Sequence, residues 1–550
     1  MTQRDAPWWQ TATGYQIYPR SFQDSNDDGI GDIPGILSRL DHLQELGIGF
    51  IWLSPVYASP MVDNGYDISD YRAIAPEFGT LDDLDDLIAK ARARDIRIVM
   101  DLVVNHCSDQ HKWFEKAKAD PTSPEHDYFI WRAPGPGNGL PSKDRSYFGG
   151  PMWTWVPEVG KYYLHQFAPG QPDLNWQNPA LRAEIYDMMN WWFDRGIGGF
   201  RMDVIDLIGK DVDNSHFIEG PYLHEFLQEM HRETLTGRDV LTVGESWGVS
   251  PETALLYCGR GRAELDTVFQ FSHVMAGWHP EHGKWHPLPL DLPKLKSVLF
   301  EWQDVMADDG WNALFWSNHD LPRAVSKHGD DGRWRVRSAK ALALALHGLR
   351  GTPYVYQGEE IGMTNVAFDR LDQFRDIETF GMWEEARIAG RSEADFIAGA
   401  NANGRDNART PVQWDAGPQA GFTDGTPWID VNPNFKAINV ADDTANPNGI
   451  FYFYQKLIQL RRVEPVLTDG RFIPILVDHP QVFAYLRQSA DATLVVLVNL
   501  SSDEVGVTLP DIAVIEGDLV AATTTDPDPL SRDMVLEPYE GIATLARITA

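Results

Sequence analysis

The chain has 550 residues, 43% hydrophobic and 23% charged, the composition of a globular protein with room for a large core and one or two smaller domains. Its 80 acidic against 47 basic residues leave a net charge of −33, which opposes binding to nucleic acid or to an anionic membrane. The two cysteines, Cys107 and Cys258, exclude a disulfide framework. No apolar run reaches bilayer length, and the opening MTQRDAPWWQ lacks a basic-then-apolar leader, so a cytoplasmic protein is expected.

From residue 14 short strand-like runs alternate with helical patterns. YQIYP (15–19) reads as a strand, and IPGILSRLDHLQEL then sets Ile36, Leu40 and Leu43 on one helical face behind Pro34. GFIWLSP (49–55) is the next strand, followed by TLDDLDDLIAKARA with Leu84, Leu87, Ile88 and Ala91 at helical spacing. IRIVMDLVVNH (96–106) is apolar on both faces, as a parallel strand under helices must be. From 107 to 172 the rhythm stops in a stretch rich in Pro, Gly and Asp, which reads as an insertion domain. It resumes with helix LRAEIYDMMNWWFDRG, strand GGFRMDV, helix YLHEFLQEMHRETL and strands VLTVGES and LDTVFQF. Helix LKSVLFEWQDVM, strand NALFWSNHD, helix RVRSAKALALALHGL and strand TPYVYQG follow, and the eighth helix comes late, at IFYFYQKLIQLRRV. Eight strand–helix units predict an α/β fold: a (β/α)8 TIM barrel over 1–106 and 173–468, interrupted by the insertion domain 107–172. From 469 to 550 strand patterns alternate without helices, predicting a C-terminal antiparallel β-sandwich domain.

In such barrels the working residues stand at the C-terminal ends of the strands. Polar residues collect there: Asp101, Asn105 and His106; Arg201 and Asp203; Glu245; His319 and Asp320. In GGFRMDVIDL, Arg201 and Asp203 are two apart on a strand and share a face, and charges are rarely buried without a partner or a task. Two carboxylates at one mouth suffice for glycoside hydrolysis, one attacking the anomeric carbon and the other protonating the leaving oxygen. A single acid at a strand end is as readily a helix cap or an arginine partner; three acids with two histidines are not. No P-loop or dinucleotide fingerprint is present.

DLVVNH (101–106), GFRMDVI (199–205), GESW (244–247) and SNHD (317–320) resemble the four signature regions of the α-amylase superfamily of retaining α-glycosidases, glycoside hydrolase family 13. The resemblance implies that Asp203 is the nucleophile, Glu245 the general acid/base and Asp320 the transition-state stabiliser. It implies that His106 and His319 bind the sugar in subsite −1 and that Arg201 keeps the nucleophile ionised. DNGYDISDY (63–71), QPDLNW (171–176), YQGEEIGMTN (356–365), FRDIE (374–378) and GRDNARTPVQWD (404–415) resemble oligo-1,6-glucosidases, dextran glucosidases and related α-glucosidases. In that branch Asp63 and Arg405 would grip the 4-hydroxyl of a terminal glucose and Tyr66 would stack on its ring. The pocket would thus be closed and the enzyme exo-acting. Alone, Asp63 and Tyr66 would belong to an ordinary Asp-Asn-Gly turn. Phe148 and Phe167 resemble an aromatic wall over subsites −1 and +1, and Lys284 and Glu378 a pair bordering +1. Val204, after the nucleophile, resembles a position where valine accompanies α-1,6 preference and threonine α-1,4.

DSNDDGIGD (24–32) places oxygen donors at alternate positions: Asp24, Asn26, Asp28, the Ile30 carbonyl and Asp32. Hard donors at this density suit Ca2+. Gly35 stands where an EF-hand needs Glu, so the loop is not one; the alternative is a solvated turn whose Asp32 caps the next helix. The same loop binds calcium in the branch this chain resembles, which implies a structural Ca2+ site (Mg2+ as a substitute) and no organic cofactor. The expectation is a monomeric, retaining exo-α-glucosidase for short α-1,6-linked oligosaccharides. Its alternatives are sucrose-, maltose- or trehalose-preferring hydrolysis, or sucrose isomerisation.

Overall fold

The computed structural model describes residues 6–547. Eight strands form its central sheet: β1 (Gly14–Ile17), β2 (Phe50–Leu53), β3 (Arg97–Leu102), β4 (Gly199–Met202), β5 (Leu241–Ser246), β6 (Thr267–Gln270), β7 (Ala313–Leu314) and β8 (Thr352–Tyr356). They lie in the order β6-β5-β4-β3-β2-β1-β8-β7, every pair parallel. A parallel bridge between Val268 on β6 and Asn312, just before β7, closes the ring into the expected (β/α)8 barrel. Alternation along each strand divides the core. Phe50, Trp52, Val99, Leu241, Val243, Phe269 and Tyr354 belong to one cluster, while Ile51, Leu53, Ile98 and Met100 pack in another with the helices. Gly199 opens β4 at φ 151°, where a Cβ would lie 2.0 Å from the Leu241 carbonyl oxygen, so only glycine lets β4 meet β5 there.

Two departures from the periodicity have local causes. The single helix expected over 33–46 is two, Ile33–Ser38 and Leu40–Leu46. They break at Arg39, whose guanidinium donates twice to Gln23 Oε1 and lies 4.1 Å over Trp414. Of NALFWSNHD only Ala313–Leu314 forms strand, with Asn312 bridged to β6; the residues after Leu314 leave the sheet and carry His319 and Asp320 to the mouth.

The stretch after β3 is more regular than its composition suggests. It holds a helix, Lys112–Ala119, and a three-stranded antiparallel sheet with Lys161–Leu164 between Trp131–Arg132 and Trp153–Val156. An antiparallel bridge from His106 to Asp173 joins its two ends at the barrel rim. At the C-terminal end, Arg471–Ile475, Val482–Gln488, Ala492–Asn499, Gly541–Arg547 and Asp518–Ala522 form an antiparallel sheet in that order, accompanied by the pair Val505–Thr508 and Asp533–Leu536. One set of its side chains, including Val495, Leu497 and Ile542, makes a core of its own; the alternate set, including Phe483, Tyr485 and Val496, joins the barrel's core. Lys296, fully buried on helix Leu292–Val305, donates its ammonium to the carbonyls of Leu476, His479 and Val482 at 2.9, 2.6 and 2.9 Å. Among the described residues no helix is long and apolar enough to cross a membrane.

Candidate active site

Arg201, on β4, is the centre of the mouth. Its Nη1 donates to Asp203 Oδ1 at 2.8 Å and to Asp101 Oδ1 at 2.8 Å, and its Nη2 stands 2.5 Å from Glu245 Oε2. The guanidinium also lies 4.8 Å over Trp52. One buried cation thus gathers three carboxylates, from β3, from the residue just past β4, and from β5. Burial pushes the Asp203 carboxyl well above the usual carboxylate range, opposed by Arg201 and reinforced by Glu245 and Asp101. Burial likewise raises Asp101 to about 6 against the pull of Arg201. At both carboxyls Arg201 opposes the rise that burial and the neighbouring carboxylates cause. Glu245 is held at both oxygens: Oε2 accepts from the Val204 N–H at 3.0 Å and Oε1 from the Trp247 indole N–H at 3.0 Å. Val204 makes its bond from a left-handed backbone, φ 35° and ψ 46°.

A second cluster faces the first. Asp320 Oδ1 accepts from Arg405 Nη1 at 3.3 Å and Arg409 Nη2 at 3.0 Å. Burial raises its pKa, but His319, Arg405 and Arg409 together outweigh it and hold the carboxyl well below the usual range. Arg405 Nη2 reaches Asp63 Oδ1 at 3.1 Å and Asp376 Oδ1 at 2.5 Å, and its guanidinium lies 4.9 Å over the Phe148 ring. Asp63 is raised to about 6 by burial despite Arg405. Glu378 Oε2 takes the Lys284 ammonium at 2.6 Å and lies 3.4 Å from Arg405 Nε, so the expected Lys284–Glu378 pair forms and abuts this cluster.

The histidines are buried and neutral. Desolvation lowers His106 to about 4 and His319 to about 3. The Gln16 amide donates to His319 Nδ1 at 2.8 Å, which leaves the proton on Nε2, 3.2 Å from Asp320 Oδ2. Tyr66 stacks face to face on His319, centroids 5.1 Å apart, and its hydroxyl donates to Asp101 Oδ2 at 3.0 Å. His106 Nε2 meets the Tyr66 carbonyl at 3.0 Å, and its ring packs against Phe167, which in turn meets Phe148 edge-on at 5.4 Å.

The sequence pattern of the α-amylase catalytic domain matches residues 16–470. This chain belongs to the α-amylase family. The family member is 52% identical to a palatinase of Erwinia rhapontici over 98% of its own length and 99% of the relative's. It is also 52% identical to an oligo-1,6-glucosidase of Halalkalibacterium halodurans over 90% of each chain. Among solved structures, trehalose-6-phosphate hydrolase of Bacillus licheniformis superposes with a TM-score of 0.94 at 44% identity, covering 98% of this chain and all of that one.

Several residues of the mouth in this α-amylase-family chain escaped the sequence reading. Asp376 and Arg409 lie inside the quoted runs FRDIE and GRDNARTPVQWD, beside Glu378 and Arg405. Arg409 is 1% exposed and grips both Asp320 and Asp376, and Asp376 also caps helix Ile377–Ile388. Gln171, from QPDLNW, donates to Asp63 Oδ2 and to the Tyr66 carbonyl. Lys210, which sequence gave no reason to single out, is buried and donates to Asn105 Oδ1 at 2.6 Å and Asp173 Oδ2 at 2.5 Å, clamping the ends of the insertion next to His106.

The loop expected to hold calcium folds around its own carboxylates. Asp24 accepts from the N–H groups of Asn26, Asp27 and Gly29 and from the Thr423 hydroxyl; Asn26 and Asp28 each accept from the N–H two residues on. Asp32 caps helix Ile33–Ser38 through Gly35 N–H. Among the described residues no three His, Cys, Asp or Glu side chains gather as a metal-holding group. Asp24, Asn26, Asp28, Asp32 and the Ile30 carbonyl remain an all-oxygen donor set on one loop, chemistry that fits a hard dication.

Proposed function

We propose that this protein is a retaining exo-acting α-glucosidase that releases terminal α-1,6-linked glucose from short oligosaccharides. The observation that carries the reading is Arg201 holding Asp203 and Glu245 on one guanidinium. Asp203 attacks C1 of the glucose while Glu245 passes its proton to the glycosidic oxygen. The C1–O bond breaks and the leaving sugar departs as an alcohol, with glucose esterified to Asp203. Water then gives a proton to the Glu245 carboxylate as its oxygen attacks C1, and Asp203 leaves as the carboxylate. Each displacement inverts C1, so the product keeps the α configuration. Asp320, held ionised by Arg405 and Arg409, accepts hydrogen bonds from sugar hydroxyls, and neutral His106 and His319 orient the ring without adding charge. Arg405 tied to Asp63 and Asp376 supports an end wall that admits one terminal glucose. Two features support the α-1,6 link: Val204 beside Glu245, and the relative named oligo-1,6-glucosidase. Ca2+, or Mg2+ in its place, would be held by Asp24, Asn26, Asp28, Asp32 and the Ile30 carbonyl, away from the chemistry.

The test is a panel of initial rates on isomaltose, isomaltulose, maltose, sucrose and trehalose, with the anomer released followed by NMR. Isomaltose or isomaltulose ahead of maltose, with α-glucose appearing first, is the expected result. β-Glucose first would overturn retention. Asp203→Asn is expected to abolish turnover with the fold intact; a variant retaining more than a small fraction of the rate would remove Asp203 from its role.

A further inference from the structure

We infer that the Trp247 indole N–H is a positioning donor for the general acid, fixing the transferable proton on Glu245 Oε1. This rests on Glu245 being the acid, as proposed above. A carboxyl oxygen has two lone pairs. Glu245 Oε2 uses one on the Val204 N–H at 3.0 Å, and the Arg201 guanidinium stands against the same oxygen in an ion pair, Nη2 at 2.5 Å. A proton on Oε2 would lie against that cation and is disfavoured there. Oε1 has one donor, the Trp247 indole at 3.0 Å, and one free position. The proton sits in that free position, and the indole N–H sets its direction.

Two further features make the indole a rigid reference rather than a passing contact. Its ring stacks on Phe271, centroids 3.8 Å apart with 14° between planes, and Trp278 packs 5.8 Å away. Phe271 in turn packs against Phe315, and both belong to the barrel's inner cluster. On the opposite oxygen the Val204 N–H is aimed by a backbone conformation that a β-branched residue adopts only under constraint. Glu245 is thus gripped from two sides by groups that cannot follow it if it rotates.

The test removes the donor and keeps the ring. Trp247→Phe can still stack on Phe271. Its kcat/KM on isomaltose is expected to fall by about 10- to 100-fold, part of what general acid catalysis supplies. On 2,4-dinitrophenyl α-glucoside, whose leaving group departs as a stable anion without a proton, kcat/KM is expected to stay within about twofold of wild type. Equal losses on the two substrates would make Trp247 a wall, and an unchanged rate on isomaltose would make the bond idle; either result overturns the inference. If Trp247→Phe fails to fold, Trp247→His and Trp247→Leu pose the same question. Only histidine has a ring N–H, and it is expected to keep more of the isomaltose rate. Glu245→Gln, run in parallel, separates the two readings. It is expected to lose isomaltose turnover while still giving a burst of dinitrophenol. If it keeps isomaltose turnover, Glu245 is not the acid, whatever Trp247 does.

Discussion

Val204 is the residue where backbone and chemistry meet most closely. A valine at φ 35° is held in a region that costs of order 1–3 kcal/mol, and its N–H spends that conformation on Glu245. The side chain is 7% exposed and lies one residue past the nucleophile, so a change of shape there would disturb the backbone as well. Threonine has nearly the same shape and adds a hydroxyl. Val204→Thr is therefore expected to fold and to lower the ratio of kcat/KM on isomaltose to that on maltose by roughly tenfold, mainly by gaining maltose activity. A folded, active variant with an unchanged ratio would move linkage choice to Lys284 and Glu378. At this scale the sequence was readable where the signal was local. Arg201 and Asp203, two apart on a strand, had to face one another, and they do at 2.8 Å. Arg409 and Asp376 were not readable, because their meaning arises only from contact with Arg405 and Asp320, which the chain brings from far away in sequence.

At the scale of elements, the loops at the barrel rim carry the remaining predictions. Lys210 is an ammonium clamped between Asn105 and a fully buried Asp173. Lys210→Met leaves that carboxylate without its cation, a change expected to cost about 3–5 kcal/mol, read as a lower urea midpoint. Because the clamp adjoins His106, the KM for isomaltose is expected to rise as well. A loss below about 1 kcal/mol would mean that the Gln166 N–H on Asp173 is support enough. The loop 24–32 makes a separate prediction. If it binds Ca2+ only when folded, chelation lowers the melting temperature by mass action while the rate at moderate temperature changes little. Equal melting temperatures after confirmed metal removal would leave the loop as the turn capped by Asp32. The barrel's strand–helix alternation was legible because each unit is long enough for its period to show. The insertion was legible only as an interruption: its strands run two to four residues, too few to display alternation.

For the molecule as a whole, buried titratable groups set the pH range of stability, and their signs oppose. Burial lowers His111, His319, His328 and His347 to about 3 and His106 and His273 to about 4. Each contributes stability that is present above its unfolded value near 6.5 and lost as pH falls through the folded one. Burial raises Asp63, Asp101, Asp266 and Asp406 to about 6, Asp206 to about 7 and Glu359 to about 8. Their stability grows as pH falls from those values toward about 4 and is lost as pH rises through them. The two sets cancel between about pH 6 and 4. Above that window Asp206 and Glu359 lose stability; below it the histidines do, joined by Asp376, held near 2 by Arg405 and Arg409 against burial. Melting temperature is thus expected to be flat from about pH 4 to 6 and to fall on both sides, most steeply below 4. A steady decline from pH 6.5 downward would show that the carboxylates do not take up their share of protons.

Lys296 has a consequence for how the protein is made. Its ammonium lies in the barrel's shell, yet all three carbonyls that hold it belong to residues 476–482. Translation delivers the helix long before those acceptors leave the ribosome. Until then the nascent barrel carries a cation held only by water and an apolar flank with no sheet to cover it. The C-terminal sheet therefore acts as the last step of barrel assembly rather than as an appendage. Chains stalled after residue 470 are expected to be cut readily by protease, whereas chains released at full length resist it. A stalled barrel as resistant as the finished protein would mean that it closes on its own.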